Sequence, residues 1–202
     1  MRLNEFVKCT DFPCQDVDKT CYIVPNIEID PNKIKTLMIS EAPPSDLGDY
    51  FYAPKNPFYV QTTVQAFNDA GFNVANMKDV LNLGVYITTA IKCAKTDYSI
   101  SSETIENCGL RILENEIGLS PEIKAILLMG DTAIKAMNLI AKRNLGKGII
   151  PSGSTYKIRE SKYFYKQFRV FASYLQTGKS YLIEKSKRKM IAEDIKAALE
   201  YH

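Results

Sequence analysis

Four short apolar runs, each ended by turn-forming or small residues and separated by stretches of helical spacing, set the strongest limit on how this chain folds. The first is Thr36 to Ser40 (TLMIS), stopped by Glu41-Ala42-Pro43-Pro44. The second, Gly84 to Lys92 (GVYITTAIK), is dense in β-branched and aromatic residues that suit a pleated, buried surface. The third, Ala125 to Gly130 (AILLMG), is apolar almost throughout, as in a strand covered on both faces. Phe168 to Ser173 (FRVFAS) is the last. Helices are predicted from about Thr62 to Ala70, Ser101 to Ile117, Asp131 through Ala141 and about Ser180 to Glu200. Strand and helix in alternation specify an α/β fold, a three-layer α/β/α sandwich around a central, mostly parallel four-stranded sheet. Residues 1–35 read as an irregular arm, and the glycine-rich stretch 146–160 as a hairpin. Ligands of such sheets sit beyond the carboxyl ends of the strands, which selects the loops after Ser40, Lys92, Gly130 and Ser173.

With 202 residues, 46% of them hydrophobic, the chain supports one core and one domain spanning residues 1–202. A net charge of +3 gives no global sign of nucleic-acid binding, so any such surface must be a local cluster. No apolar run approaches the roughly 18 residues of a membrane span. The opening MRLNEFVKC lacks the apolar stretch of a signal peptide. A cytoplasmic monomer without membrane contact is therefore expected. In that compartment five cysteines point to metal binding or chemistry rather than disulfides. Cys9 and Cys14 are separated by four residues, and Cys93 and Cys108 by 14. Two such pairs can close on one four-sulfur site for zinc or an iron–sulfur cluster, or they can be small buried hydrophobes. Glu41, at the end of the first strand, can orient water as a general base. It can equally be a loop acid that caps a helix.

The order ISEAPP, Asn56-Pro57-Phe58-Tyr59, YITTAIKC, Cys108 and ILLMGDTAIKAM resembles the iron–sulfur (family 4-like) branch of the uracil-DNA glycosylase superfamily, over roughly residues 7 to 175. The resemblance implies a DNA-repair hydrolase that removes uracil or another damaged base, with damaged DNA as its partner and a 4Fe-4S cluster as cofactor, zinc being the alternative at the same cysteines. It makes Glu41, at the acidic position of the first motif, the catalytic carboxylate that positions water, with Ala42 and Pro43 beside the base. Phe58 matches the aromatic that stacks on the base, with Tyr59 as its alternate. Cys93 and Cys108 match two cluster ligands. Cys9 and Cys14 complete the set, with four residues between them where the family has two, and Cys21 is the spare.

Two positions depart from the family. Thr89 stands where an asparagine reads the uracil edge, and a hydroxyl cannot present the paired donor and acceptor of an amide. Leu175 stands where a histidine supports charge on the departing base, and the one histidine of the chain is His202. These departures leave open a second reading, a non-catalytic or altered-substrate relative that binds nucleic acid. After the last strand, Ser173, Thr177, Lys179 and Ser180 are candidates for holding DNA phosphate, together with Lys187 in the basic run Lys185, Lys187, Arg188, Lys189. Gly178-Lys179-Ser180 ends like a nucleotide-binding P-loop, but Ser173 occupies the place of its required glycine. Gln176 is either a reader of the base edge or a surface glutamine.

Overall fold

The computed structural model describes residues 1–177, 181–182 and 184–201. Its strands are β1 (Val17–Asp18), β2 (Thr36–Ser40), β3 (Val85–Thr89), β4 (Ala94–Lys95), β5 (Ala125–Met129), β6 (Tyr163–Tyr165) and β7 (Phe168–Ser173). The main sheet has five strands in the order β3-β2-β5-β7-β6. Its four parallel members are the four apolar runs. The fifth, β6, pairs antiparallel with β7 and corrects the expected count of four. It is only three residues long, and its turn carries no glycine: Lys166 itself adopts φ of +52°. The hairpin thus lies at 163–173 rather than 146–160, where Thr155–Ile158 forms one helical turn.

Every residue of β2, β3, β5 and β7 is buried. Leu37, Ile39, Tyr86, Ile126, Leu128 and Val170 face one apolar layer. Met38, Val85, Ile87, Leu127, Met129 and Phe171 face the other. The first layer is closed by α4 (Ser102–Cys108), α5 (Glu114–Gly118) and α6 (Asp131–Leu145). The second is closed by α2 (Phe58–Asp69), α3 (Met77–Asn82) and the C-terminal helix Lys185–Leu199. Arg169 is tolerated inside β7 because its guanidinium donates to the carbonyls of Tyr163, Val170 and Ser161.

The register brings the strand ends level. Ser40 lies beside Thr89, and Met129 beside Ser173, so the loops that follow all leave from one edge. The stretch expected as one helix from Ser101 to Ile117 is broken by a π turn at Gly109–Leu113, directly after Cys108. Such insertions recur at functional sites. The N-terminal arm is irregular but docked. β1 pairs with β4, Asp16 accepts from Ser101 N–H at 2.6 Å, and Asp11 pairs with Arg111 at 2.7 Å.

One buried ion pair ties β3 to the helical layer. Lys92 Nζ lies 2.5 Å from Glu116 Oε2 and also donates to Thr88 Oγ1 and to the Thr89 carbonyl. Glu116 Oε1 accepts from the Tyr86 and Thr88 hydroxyls. Both charges are almost fully buried. Removing one partner strands the other charge, which typically costs about 3–5 kcal/mol, whereas replacing both with apolar residues is far milder. Glu116→Leu should therefore lower the unfolding free energy from urea titration by an amount of that size, and Lys92→Met added to it should restore part of the loss. A single variant within about 1 kcal/mol of the parent would remove the pair from the stability account.

Candidate functional site

At the carboxyl edge of the sheet lies a cleft of about 320 Å3, in the size range of small-molecule sites. Its lining includes Glu41, Ala42, Pro43, Pro44, Tyr59, Lys95, Asp97, Leu175 and Thr177. Glu41 is held from two sides. Its Oε1 accepts the Thr132 N–H at 3.2 Å, in the first turn of α6. Its Oε2 lies 3.9 Å from Lys95 Nζ. Gly130 makes this approach possible: its φ is +100°, and a Cβ there would fall 2.7 Å from Glu41 Oε1. The carboxylate thus caps a helix, one of the two roles read from the sequence, and also lines the cleft. Asp131, which by type suits the cap, is instead the first helical residue and pairs with Lys135 at 2.6 Å. Each carboxylate oxygen has two lone pairs, so acceptor capacity remains for a ligand or water.

Of the two candidate aromatics, Tyr59 lines the cleft, while Phe58 is the half-buried first residue of α2 and does not. Tyr59 is fixed by its N–H on Asp49 at 3.0 Å and by the Phe51 ring, 5.5 Å between centroids. Burial raises its phenol above the ordinary value, with the Thr177 hydroxyl opposing, which keeps it a neutral wall with one polar end. Leu175 adds an apolar residue to the lining of the cleft. Thr89 is fully buried, and among the described residues its hydroxyl has no hydrogen-bond partner. Lys95 and Asp97 went unread in the sequence. Lys95 reaches the cleft because β4 pairs with β1 of the distant arm, a contact that local spacing cannot signal.

The second centre is built from cysteines. Cys9, Cys14, Cys93 and Cys108 all line one small cavity, closed by Phe12, Tyr22, Ile91 and Ile112 among others. Phe12 bends the arm between the first two with φ of +43°, and its ring meets Tyr22 edge-on at 5.0 Å. Tyr22 Oη in turn accepts the Cys9 N–H at 3.0 Å. Burial, then repulsion from the neighbouring thiols, pushes Cys93 up to about 12. Burial pushes Cys108 up to about 12 against the opposing effect of Lys92. Cys21 is elsewhere, with its thiol donating to Asp18 Oδ2 and the Ser45 carbonyl. The sulfur donor set suits zinc or an iron–sulfur group. Among the described residues no three His, Cys, Asp or Glu side chains form a grouping for a single metal ion.

The phosphate candidates fare unevenly. Ser173 is fully buried, and its hydroxyl donates to Asp194 Oδ2 at 2.6 Å, which corrects its assignment as a phosphate ligand. Asp194 is itself held by Arg159 at 2.8 Å. Thr177 lines the cleft and is nearly buried. Lys187 pairs with Glu184 at 2.8 Å and lies over the Tyr174 ring, and Arg188 pairs with Asp69 at 2.7 Å. The basic run is therefore partly neutralised. Lys179 and Ser180 lie outside the described residues.

Comparison with known proteins bears on this arrangement. Residues 27–196 match the family described as the uracil DNA glycosylase superfamily. The type-5 uracil-DNA glycosylase of Thermus thermophilus is 30% identical over 103 residues, 50% of this chain and 46% of that protein. The chain thus spans about half the length of the curated relative it matches. A solution NMR structure of a candidate uracil DNA glycosylase from Methanosarcina acetivorans superposes with a TM-score of 0.46 at 14% identity, covering 85% of this chain and 94% of that one.

Proposed function

The chain belongs to the uracil DNA glycosylase superfamily, and from that premise we propose that it hydrolyses the N-glycosidic bond of uracil or another damaged base in DNA. The observation that carries this reading is the cleft itself, where a fixed carboxylate, Glu41, shares the carboxyl edge of the sheet with the aromatic wall of Tyr59. The glycosidic carbon is not accessible within a duplex, so the nucleotide must be extruded into the cleft. There Tyr59 packs on the base, with Ala42 and Pro43 beside it. Glu41 accepts a hydrogen bond from a water and orients it toward C1′. The new C–O bond forms as the C1′–N bond breaks, the base leaves with the bonding pair, and the proton released by the water passes to the Glu41 carboxylate. Lys95 offers positive charge in the cleft where the family histidine is replaced by Leu175. It is partly exposed, and screening makes it a weaker substitute than an enclosed donor. Thr177, Lys187 and the residues after them hold the DNA backbone, and the protein acts as a monomer.

Cys9, Cys14, Cys93 and Cys108 would hold a 4Fe-4S cluster. Supporting this are the four thiols around one cavity. A cluster held there would tie the N-terminal arm to the segment after β3 and to the end of α4, a structural role. Protein purified without oxygen should contain iron and acid-labile sulfide, retained in Cys21→Ala and lost in Cys93→Ala. Stoichiometric zinc without iron would reject the cluster.

The alternative, a relative that binds DNA without cleaving it, draws on one observation, the apolar Leu175 in the cleft. The test is to incubate the protein with duplexes carrying single uracil, hypoxanthine or xanthine bases and to count abasic sites. Excision should appear, and Glu41→Gln should lower it about 10²–10⁴-fold with DNA affinity nearly unchanged. Excision that survives in Glu41→Gln would remove this carboxylate from the mechanism. Inactivity of the parent on every base, alongside measurable DNA affinity, would favour the binding protein.

A further inference from the structure

Gln176 follows β7 in a segment with no regular structure, yet its side chain is 0% exposed. Among the described residues neither Nε2 nor Oε1 has a hydrogen-bond partner. Burying an amide without a partner is costly, so such a group is retained where something outside the fold completes it. Its neighbours in the chain, Leu175 and Thr177, both line the cleft.

Three more buried hydroxyls without partners belong to the segments that build this end of the sheet. They are Tyr50 in the loop after β2, Thr63 on α2 and Thr89 at the end of β3. Together with Gln176 these residues supply five of the seven such atoms among the described residues. Alternation along β3 puts Thr89 on the face of Val85 and Ile87, the face that also carries Tyr50, α2 and the partly buried Leu175. Thr89 lies near the Tyr50 hydroxyl, although no well-formed hydrogen bond joins them. Elsewhere most buried polar groups are linked in pairs and networks, as in Lys92–Glu116 and Ser173–Asp194, and the other two of the seven atoms, Asn4 Oδ1 and Glu114 Oε2, lie outside these segments. Most of the unmet hydrogen-bonding capacity among the described residues thus belongs to segments that neighbour the cleft.

We propose that Gln176 reads the hydrogen-bonding edge of the extruded base, the task for which Thr89 lacks an amide. The inference rests on the glycosylase reading. A carboxamide presents a donor and an acceptor side by side. A deaminated base presents the complement, a ring N–H next to a C=O, and a glutamine can pair with a base edge through both. The hydroxyls of Thr89 and Tyr50, each able to donate or accept, complete the edge. A phosphate would leave the acceptor half of the amide unmatched. Contact requires the 174–177 segment to adjust as the base enters, a change of the kind that accompanies binding in mobile loops.

Gln176→Leu keeps much of the shape and removes the polar edge. Two measurements on the full chain test the role. The first is the urea midpoint without DNA, which should stay the same or rise, because an unpartnered amide is lost. The second is affinity, at fixed salt, for duplexes holding one non-cleavable 2′-fluoro nucleotide. Its base is uracil, hypoxanthine, or a difluorobenzene of similar outline without the polar edge. The parent should prefer uracil over the isostere by about 10- to 100-fold, and Gln176→Leu should shrink that to about threefold or less, with undamaged duplex bound as before. A lowered midpoint would make the amide a structural group and overturn the inference. So would a preference retained in Gln176→Leu, or a parent that shows none. Abasic-site formation on cleavable uracil duplex is scored separately. Excision with the preference retained in the variant sinks only the role of Gln176, whereas a parent with neither excision nor preference loses the glycosylase reading as well.

Discussion

Parallel pairing of Thr36–Ser40 with strands on both sides governs where chemistry can take place in this protein. The ladders satisfy the backbone polar groups of a strand buried on both faces, and they fix its register against Val85–Thr89 and Ala125–Met129. With the register fixed, the loops after four strands meet at one edge. Glu41 from one of them then reaches the first turn of the helix that follows another. Gly130 is the contact point, and its positive φ and missing side chain let the carboxylate close on the helix end. The acid of the cleft is therefore positioned by the sheet rather than by its own flexible loop.

A second consequence follows one strand away. Lys92 and Cys93 are adjacent, yet they serve different structures: Lys92 enters the buried pair with Glu116, and Cys93 lines the cysteine cavity. Cys108 and the π turn after it lie between that cavity and α5, which carries Glu116. The ion pair and the cysteine centre thus brace the same helices against the same strand end. A buried pair adds little net stability over an apolar replacement, so its value here is in holding one arrangement of strand and helix. The contrast with Gln176 is instructive. One set of buried polar groups is fully joined, and the other is left with capacity that a ligand can use.

Much of the fold was legible because burial on both faces writes a strand as an uninterrupted apolar run, and four such runs were read correctly. Tyr163–Tyr165 escaped because an edge strand needs only three residues, and its turn uses a lysine in a conformation usually left to glycine. Met77–Asn82 escaped because six residues show little periodicity, and its clearest mark is Asn76 accepting the N–H groups of Lys78 and Asp79. In the site, the loop of Glu41, Ala42 and Pro43 was readable from prolines that end a strand. The choice between Phe58 and Tyr59 was not, because adjacent helix positions differ by about 100° in direction and only packing decides which faces the cleft. Ser173 looked available until its partner Asp194 appeared, 21 residues on. Gln176 in a polar loop carries no local sign of burial, since its burial is wholly tertiary.

In the proposed function, the carboxyl-edge cleft receives a base extruded from DNA. The most direct measurement is a crystal structure of the Glu41→Gln protein with a duplex containing one 2′-fluoro-deoxyuridine. The uracil ring should lie outside the helix, against Tyr59, with its C1′ turned toward residue 41. A uracil still stacked in the duplex, or bound away from this edge, would contradict it.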